Sequence, residues 1–565
     1  MSDHRVVLPA DSNQALGLGQ FAVDFMHNEQ GRRGDPDPAV LERTNLFFVD
    51  SVLCGVSAIA LGTNAPTVLR NEALQYRFPP AGVGSLAGVL GSGRHAAKRG
   101  GAPVFGSNLD VAVEKAIAAN VAAVREWDSN GTNFGYSEER PHHRAGEFGH
   151  NDFYAVPVAA AQMMARDGEF ALRGMVLLDE IRGRLAEVFS LKSYKIDHVV
   201  HGAIASAATF GAMMGATPEQ IESAIGMVVA HAIPFRAIRH GHQLSDSKGA
   251  SAAISTEFAI LCMKRSMAGF VGPKDIFRNP EAIFRLFEGP GALFERRGKG
   301  GGGARQDDPP GKGRDASPFD LVLSRAGKDF TVMGMHFKLG LYEHQSAGAL
   351  QGLIDLLAAH PDLLDDQTGD RIKRIVVRAY EPAFSIIGDP HKRDPHTRQS
   401  ADHSMLYLVC TMLRKALELG ARDRPGPQGK RPALGFKELM LSPHDFDKSA
   451  LFHPVTRSLM EKMSFEHGGP EYDAKYPDGI PTSIVITDED DQTHDSGLVM
   501  YPAGHARNTT ADLHGILRHK FEVLGGLAVA KPDKLIKRLS NLHEKPAERL
   551  ADLYDFEIVH RGRFE

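Results

Sequence analysis

The sequence predicts a mostly α protein with an α+β part: a large all-helical domain plus a smaller mixed domain. Three observations carry this. Residues 37–290 read as helix after helix, the composition breaks sharply across 289–318, and strand-like alternation appears only beyond that break. At 565 residues the chain exceeds one ordinary domain, and its 42% hydrophobic and 24% charged residues are a normal globular balance.

Within 107–127, Leu109, Val113, Ile117, Val121 and Val124 recur at helical spacing, with Ser107 as the candidate N-cap. The run 202–215 consists almost wholly of small residues, which lets helices approach closely and suits the centre of a packed bundle. Thr217-Pro-Glu-Gln220 then reads as a helix start, with Thr217 as cap, Pro218 in the first turn and Gln220 reaching back. Between 289 and 318 glycine, proline and charge replace the apolar periodicity. Such a stretch buries too little apolar surface to offset its ordering entropy, so a flexible insert is expected. Its Gly-Lys-Gly-Arg ending lacks the hydroxyl residue of a phosphate-binding loop. Gly82-Val-Gly84-Ser-Leu-Ala-Gly88 approximates a dinucleotide fingerprint, but Arg-Phe-Pro-Pro precedes it where a strand belongs, and a glycine-rich turn is the better reading. Further on, Ile372–Tyr380 and Ser483–Thr487 alternate as strands do, and another strand is expected to run to Met500 across the acidic turn Asp488–Gln492. Ser346–Ala359 and Ser404–Leu419 read as helices. The organisation is therefore 1–288 helical, 289–318 a Gly-rich insert, 319–508 α+β, and 509–565 C-terminal helices returning to the first domain.

A formal net charge of −5 gives no electrostatic reason to expect nucleic acid or an anionic membrane as partner. Cys54, Cys262 and Cys410 lie far apart in apolar, helix-like runs without a C-x-x-C pair. That pattern fits a reducing compartment, excludes a disulfide framework and favours buried thiols over an iron–sulfur cluster. The N-terminus carries neither a signal-peptide run nor a transit-peptide pattern, and no stretch reaches about 18 uninterrupted apolar residues, so a cytoplasmic chain without a membrane span is expected.

The polar residues that punctuate this apolar chain fall at helix ends. Asp128 and Thr132 follow a long amphipathic helix. A helix C-terminus is a poor site for a carboxylate, so Asp128 needs a compensating partner. His150 stands just before an apolar helix, where the helix N-terminus disfavours imidazolium and keeps the ring able to accept a proton. His198 and His201 precede the small-residue helix in the same way. Arg236, Arg239, His240 and His242 form a cationic run that is either a solvated surface or a carboxylate clamp; arginine's planar fork suits carboxylates best. Lys248 opens another helix, and Lys338, Tyr342 and His344 cluster at the start of the second domain. Base, acid and cations together suit removal of a proton beside a carboxylate and loss of hydroxide from the next carbon. A divalent metal held by His142-His143, His240-x-His242 or Glu138-Glu139 is the chemical competitor, but none has the H-x₃-H or H-E-x-x-H spacing.

In order and wording, Ile196-Asp-His198-Val followed by Ile204-Ala-Ser-Ala-Ala, Arg236-x-x-Arg239-His240, Ala401-Asp-His403 and Tyr501-Pro-Ala-Gly-His-Ala-Arg507 resemble the MmgE/PrpD family, on the side of its 2-methylcitrate dehydratase branch. The resemblance implies a helical domain completed by the C-terminal helices, a smaller α+β lid, an active site between the two, a homodimer, and no metal or other cofactor. It implies that Asp128, Thr132, His150, His198 and Lys248 are catalytic, and that Lys338 matches a second family lysine. Arg236, Arg239, Lys338, Tyr342 and His344 are the expected substrate-binding residues, and Tyr380 is a candidate for the family's lid tyrosine. The expected activity is cofactor-independent dehydration of a small tricarboxylate such as 2-methylcitrate, as in propionate catabolism. Decarboxylation of cis-aconitate, racemisation beside a carboxylate, and an inactive acid-binding oligomer stand as alternatives. Gly131 and Asn151 depart from the family's pattern, as does the insert between Thr132 and His150.

Overall fold

The computed structural model describes residues 4–27, 33–78, 98–140, 142–239, 243–286, 316–388, 390–422 and 434–564. The glycine pattern at 82–88, His240, His242 and nearly all of the Gly-rich insert lie outside these residues.

Among the described residues, nine helices frame the larger body: α1 (Gln14–His27), α2 (Pro38–Ala60), α3 (Asn64–Ala73), α4 (Val113–Arg125), α5 (Ala155–Met163), α6 (Gly168–Val188), α7 (Val199–Met214), α8 (Pro218–His231) and α9 (Asp246–Met267). Their packing centres on α7, which is buried along its whole length and lies against α1, α5, α6, α8 and α9. The small-residue reading explains how. A Cβ on Gly202 would sit 2.0 Å from the Phe153 ring, so only glycine admits that contact. The expected capping box of α8 forms, with Thr217 and Gln220 exchanging side chain–backbone bonds and Pro218 in the first turn. Helix α4 starts at Val113, later than the expected Ser107. Asp110–Val111 pairs instead with Ala102–Pro103 as a short antiparallel ladder, and Leu109 is left 43% exposed.

Among the described residues, α2 alone is long and apolar enough to cross a membrane, but 83% of its most apolar window is buried inside the protein. It packs on α4, α6 and the C-terminal helix Leu513–Ala528. Lys520 of Leu513–Ala528 forms an ion pair with Asp50 of α2 at 2.6 Å and donates to the carbonyls of Ser129 (2.6 Å) and Lys338 (2.8 Å). The final segment is thereby fastened beneath the residues that follow α4.

The smaller α+β part holds a four-stranded sheet in the order Met463–His467, Ile372–Ala379, Thr482–Asp488, Thr493–Asp495. The first pair is parallel and the others antiparallel. The expected strand to Met500 ends early, at Asp495, and Val499 rejoins Thr482 only through an isolated bridge. Met463–His467 has no β-branched residue to announce it in sequence. Helices Ala347–Ala359 and Met405–Arg422 match the sequence reading, and the first packs on Thr482–Asp488. Leu321–Ser324, on the lid side of the compositional break, pairs antiparallel with Arg5–Leu8 and packs on α6 of the helical body.

Candidate active site

The helix ends converge. Asp128 follows α4 in a left-handed conformation (φ 48°) that turns the chain out of the helix and leaves the carboxylate fully buried. Just beyond, Thr132–Asn133 pairs antiparallel with Gly149–His150, with Thr132 opposite His150. That two-residue ladder fixes the imidazole of His150 beside Asp128, across the residues inserted between the two strands. His198 enters from the start of α7, where Asp197 Oδ1 accepts from the Val199 amide at 3.3 Å. The ring centroids of His150 and His198 lie 5.1 Å apart.

The partners that Asp128 requires are three cations and one imidazole. Arg125 and Lys338 both contact Oδ1, while His403 Nδ1 lies 3.0 Å and Lys248 Nζ 3.9 Å from Oδ2. Burial alone would raise the Asp128 carboxyl, but Arg125, Lys338, His403 and Lys248 hold it well below the carboxylate range. Burial pushes the Lys248 ammonium down to about 8, even though Asp402 and Asp128 support the charge. Lys338 is lowered for the same reason.

Both imidazoles are held neutral. Burial, then Arg125 and Lys338, keep His150 well below the histidine range. Burial keeps His198 low against the opposing pull of Asp197, with Arg239 and Arg125 adding to it. Arg125 Nη2 donates to His150 Nε2 at 3.2 Å, which puts the ring proton of the neutral form on Nδ1, an atom without a partner. Among the described residues, neither ring nitrogen of His198 has a hydrogen-bond partner. A small cleft of about 40 Å³ adjoins them. Arg236 and Arg239 reach it from the segment after α8, and Glu343, Gln345, Lys392 and His403 reach it from the α+β part. Arg236 donates no side-chain hydrogen bond to the described residues, whereas Arg239 grips Asp197 through two nitrogens and Ser251 at 3.1 Å.

Three sequence-predicted residues have other tasks. The Thr132 hydroxyl donates to the Gly149 carbonyl at 2.9 Å and serves the ladder. The Tyr342 hydroxyl accepts from the Leu339 amide at 2.7 Å, away from the cleft. His344 is stacked on His336, with ring centroids 5.2 Å apart, and does not line the cleft. Tyr380 stacks on Tyr476 at 4.6 Å, its hydroxyl unpartnered. Sequence reasoning passed over Arg125, Glu343 and Lys392, and quoted Asp402 and His403 only within the Ala401-Asp-His403 motif, without a role. Two signals were available: Arg125 sits one helical turn before Asp128, and Glu343 lies between the predicted Tyr342 and His344.

A larger cleft of about 310 Å³ contains His505 and Arg507 of the Tyr501–Arg507 stretch. Some of its ions are matched, Arg507 with Asp478 and Arg184 with Glu187 and Asp329, though the His336–His505 ring pair there also leaves His505 Nε2 without a partner among the described residues. The smaller cleft is favoured as the chemical site because the sequence-predicted His150, His198 and Arg236 meet there. Asp128, Asp402 and His403 bring three potential metal-ligand atoms within 4.8 Å of one another. Lys338, Lys248 and Arg125 contact the same carboxylates and compete with any cation there.

Two family models match the chain: the MmgE/PrpD N-terminal domain over residues 29–293 and the MmgE/PrpD C-terminal domain over residues 343–419. The chain belongs to the MmgE/PrpD family. The helix-end residues of the site fall in the first match, while Glu343 and His403 fall in the second. Among curated MmgE/PrpD relatives, the 2-methylcitrate dehydratase of Escherichia coli K12 is 22% identical over 436 residues, which is 73% of this chain and 78% of that protein. The mitochondrial 2-methylcitrate dehydratase of Yarrowia lipolytica is 25% identical over 341 residues, 59% of this chain and 55% of that protein. The Salmonella typhimurium 2-methylcitrate dehydratase is 22% identical over 435 residues.

Proposed function

We propose that the chain is a hydro-lyase that removes water from a citrate-like tricarboxylate, with 2-methylcitrate as the first substrate to test. The observation that carries this is the pair of neutral imidazoles, 5.1 Å apart, on a cleft that Arg236 and Lys392 also line. The relatives' names support the same reading.

The chemistry follows from the charges. Asp128 is locked as an acceptor and fixes Arg125, which in turn fixes the tautomer of His150. His150 then offers an Nδ1–H donor to a substrate oxygen. His198, with both nitrogens unpartnered, is the better base for the proton beside the carboxylate. Burial and nearby cations make both rings poor bases. A polyanion entering the cleft reverses this, because negative charge next to an imidazole favours its protonated form. Basicity is therefore coupled to substrate binding. Arg236 and Lys392 bind a substrate carboxylate and hold it in place. Assembly as a homodimer and a place in propionate catabolism complete the reading.

The test is to assay purified, chelator-treated protein with 2-methylcitrate and with citrate, following the ultraviolet absorbance of a conjugated product. Appearance of the alkene supports the reading. Folded protein that is silent on both sinks it. Deuterium wash-in without water loss would instead indicate a racemase, and released carbon dioxide a decarboxylase.

A further inference from the structure

Dehydration needs a proton for the departing oxygen, and two neutral imidazoles are poor donors of one. Asp128 is ionised and Lys248 is bonded to Asp402 and to the Gln399 carbonyl. One carboxyl remains among the described residues that line the cleft, that of Glu343. We propose that Glu343 is the general acid of this site, delivered from the α+β part against the imidazoles of the helical body. This rests on the dehydratase reading above.

The geometry is that of a positioned donor. The Glu343 amide donates to the Asp402 carbonyl at 2.9 Å, tying the residue to the network around Asp128. Its Oε2 accepts from the Gln345 amide at 2.9 Å and caps the short helix His344–Ser346. Oε1 bonds to none of the described residues, and the side chain belongs to the same cleft as His198 and Arg236. One oxygen is anchored and the other is available. Burial, followed by the negative charge of Asp128, raises the carboxyl to about 7 against the opposing pull of Lys338 and Lys392. Tyr380 and Tyr476 face it from the lid as further acidic groups, and the imidazoles facing it are neutral. At neutral pH a substantial share of the enzyme therefore carries the proton that the reaction requires.

The step balances. His198 takes the proton beside the carboxylate, and the C–H electron pair becomes the new C=C bond. The C–O bond breaks, and the departing hydroxide takes the Glu343 proton to leave as water. Glu343 is then a carboxylate and His198 an imidazolium, and solvent returns both to their starting forms.

The experiment compares wild type with Glu343→Gln on two substrates: the tricarboxylate, and its analogue with fluoride in place of the departing hydroxyl. Fluoride leaves without a proton. The expected result is a fall in kcat of about 10²- to 10⁴-fold on the hydroxyl substrate, with KM nearly unchanged and fluoride elimination within about fivefold of wild type. Wild-type kcat/KM on the hydroxyl substrate should decline as pH rises past about 7, and Glu343→Gln should lack that limb. Equal losses on both substrates, or no loss on either, overturn the assignment while leaving the dehydratase reading intact. A wild-type enzyme inactive on every tricarboxylate removes both.

Discussion

Arg184 and Asp128 are both fully buried ions of the helical body, yet their surroundings do opposite things. Arg184 uses every nitrogen: Nε on Glu180, Nη1 on both oxygens of Glu187, and Nη2 on Ser324 and Asp329, at 2.8–3.3 Å. Burial would lower Arg184 and raise Asp329, but the mutual charges win, and both are driven further toward their ionised forms. Around Asp128 the same conflict is settled for the carboxylate and left open for its neighbours. His150 and His198 stay neutral with unpartnered nitrogens, Lys248 drops to about 8, and Glu343 rises to about 7. Buried charge alone therefore does not mark a site. Groups pushed away from their ordinary protonation state beside an open cleft do.

This contrast can be broken by substitution. The largest effect is expected from His198→Asn, which should lower kcat/KM by about 10²- to 10⁴-fold while leaving the melting temperature within a few degrees. A large drop in melting temperature would move His198 into the structural class. Arg184→Leu should do the reverse. It leaves Glu180 and Glu187 buried without their cation, costing about 3–5 kcal/mol in chemical denaturation, while the folded fraction keeps kcat/KM within a few-fold.

A subtler effect separates the clusters by pH. Glu343 is raised from 4.5 to about 7, so the native state binds the extra proton between those values. The stability this contributes is complete below about 4.5 and is lost as pH rises through about 7, an upper bound of roughly 3 kcal/mol. Denaturation across that range should show stability falling more steeply with rising pH in wild type than in Glu343→Gln. The smallest effect belongs to Arg236→Ala, with KM raised roughly tenfold and kcat little changed, as for loss of one charge-assisted contact. An unchanged KM would remove Arg236 from the carboxylate clamp.

Much of this was legible in the chain. Thr217-Pro-Glu-Gln220 carries its own helix start, and the small residues of 202–215 announce the buried helix, because both signals act over a few residues. The need of Asp128 for counter-charge is equally local, since it follows from its place after a helix C-terminus. The strand Met463–His467 was not legible, for it is only five residues long, carries no β-branched residue and forms by pairing with Ile372–Ala379.

The sequence by itself determined which helices form, that their ends carry acids, imidazoles and cations, and that an α+β part follows. Only the tertiary structure decided which of those groups remain available. Arg239 is engaged by Asp197, Thr132 by Gly149 and Tyr342 by Leu339, while Glu343 acquires its proton affinity from burial and from Asp128, far away in the chain. The physical reason is range. Capping and periodicity act between near neighbours in sequence, whereas desolvation and Coulomb interaction depend on what the fold packs within a few ångströms, wherever it comes from.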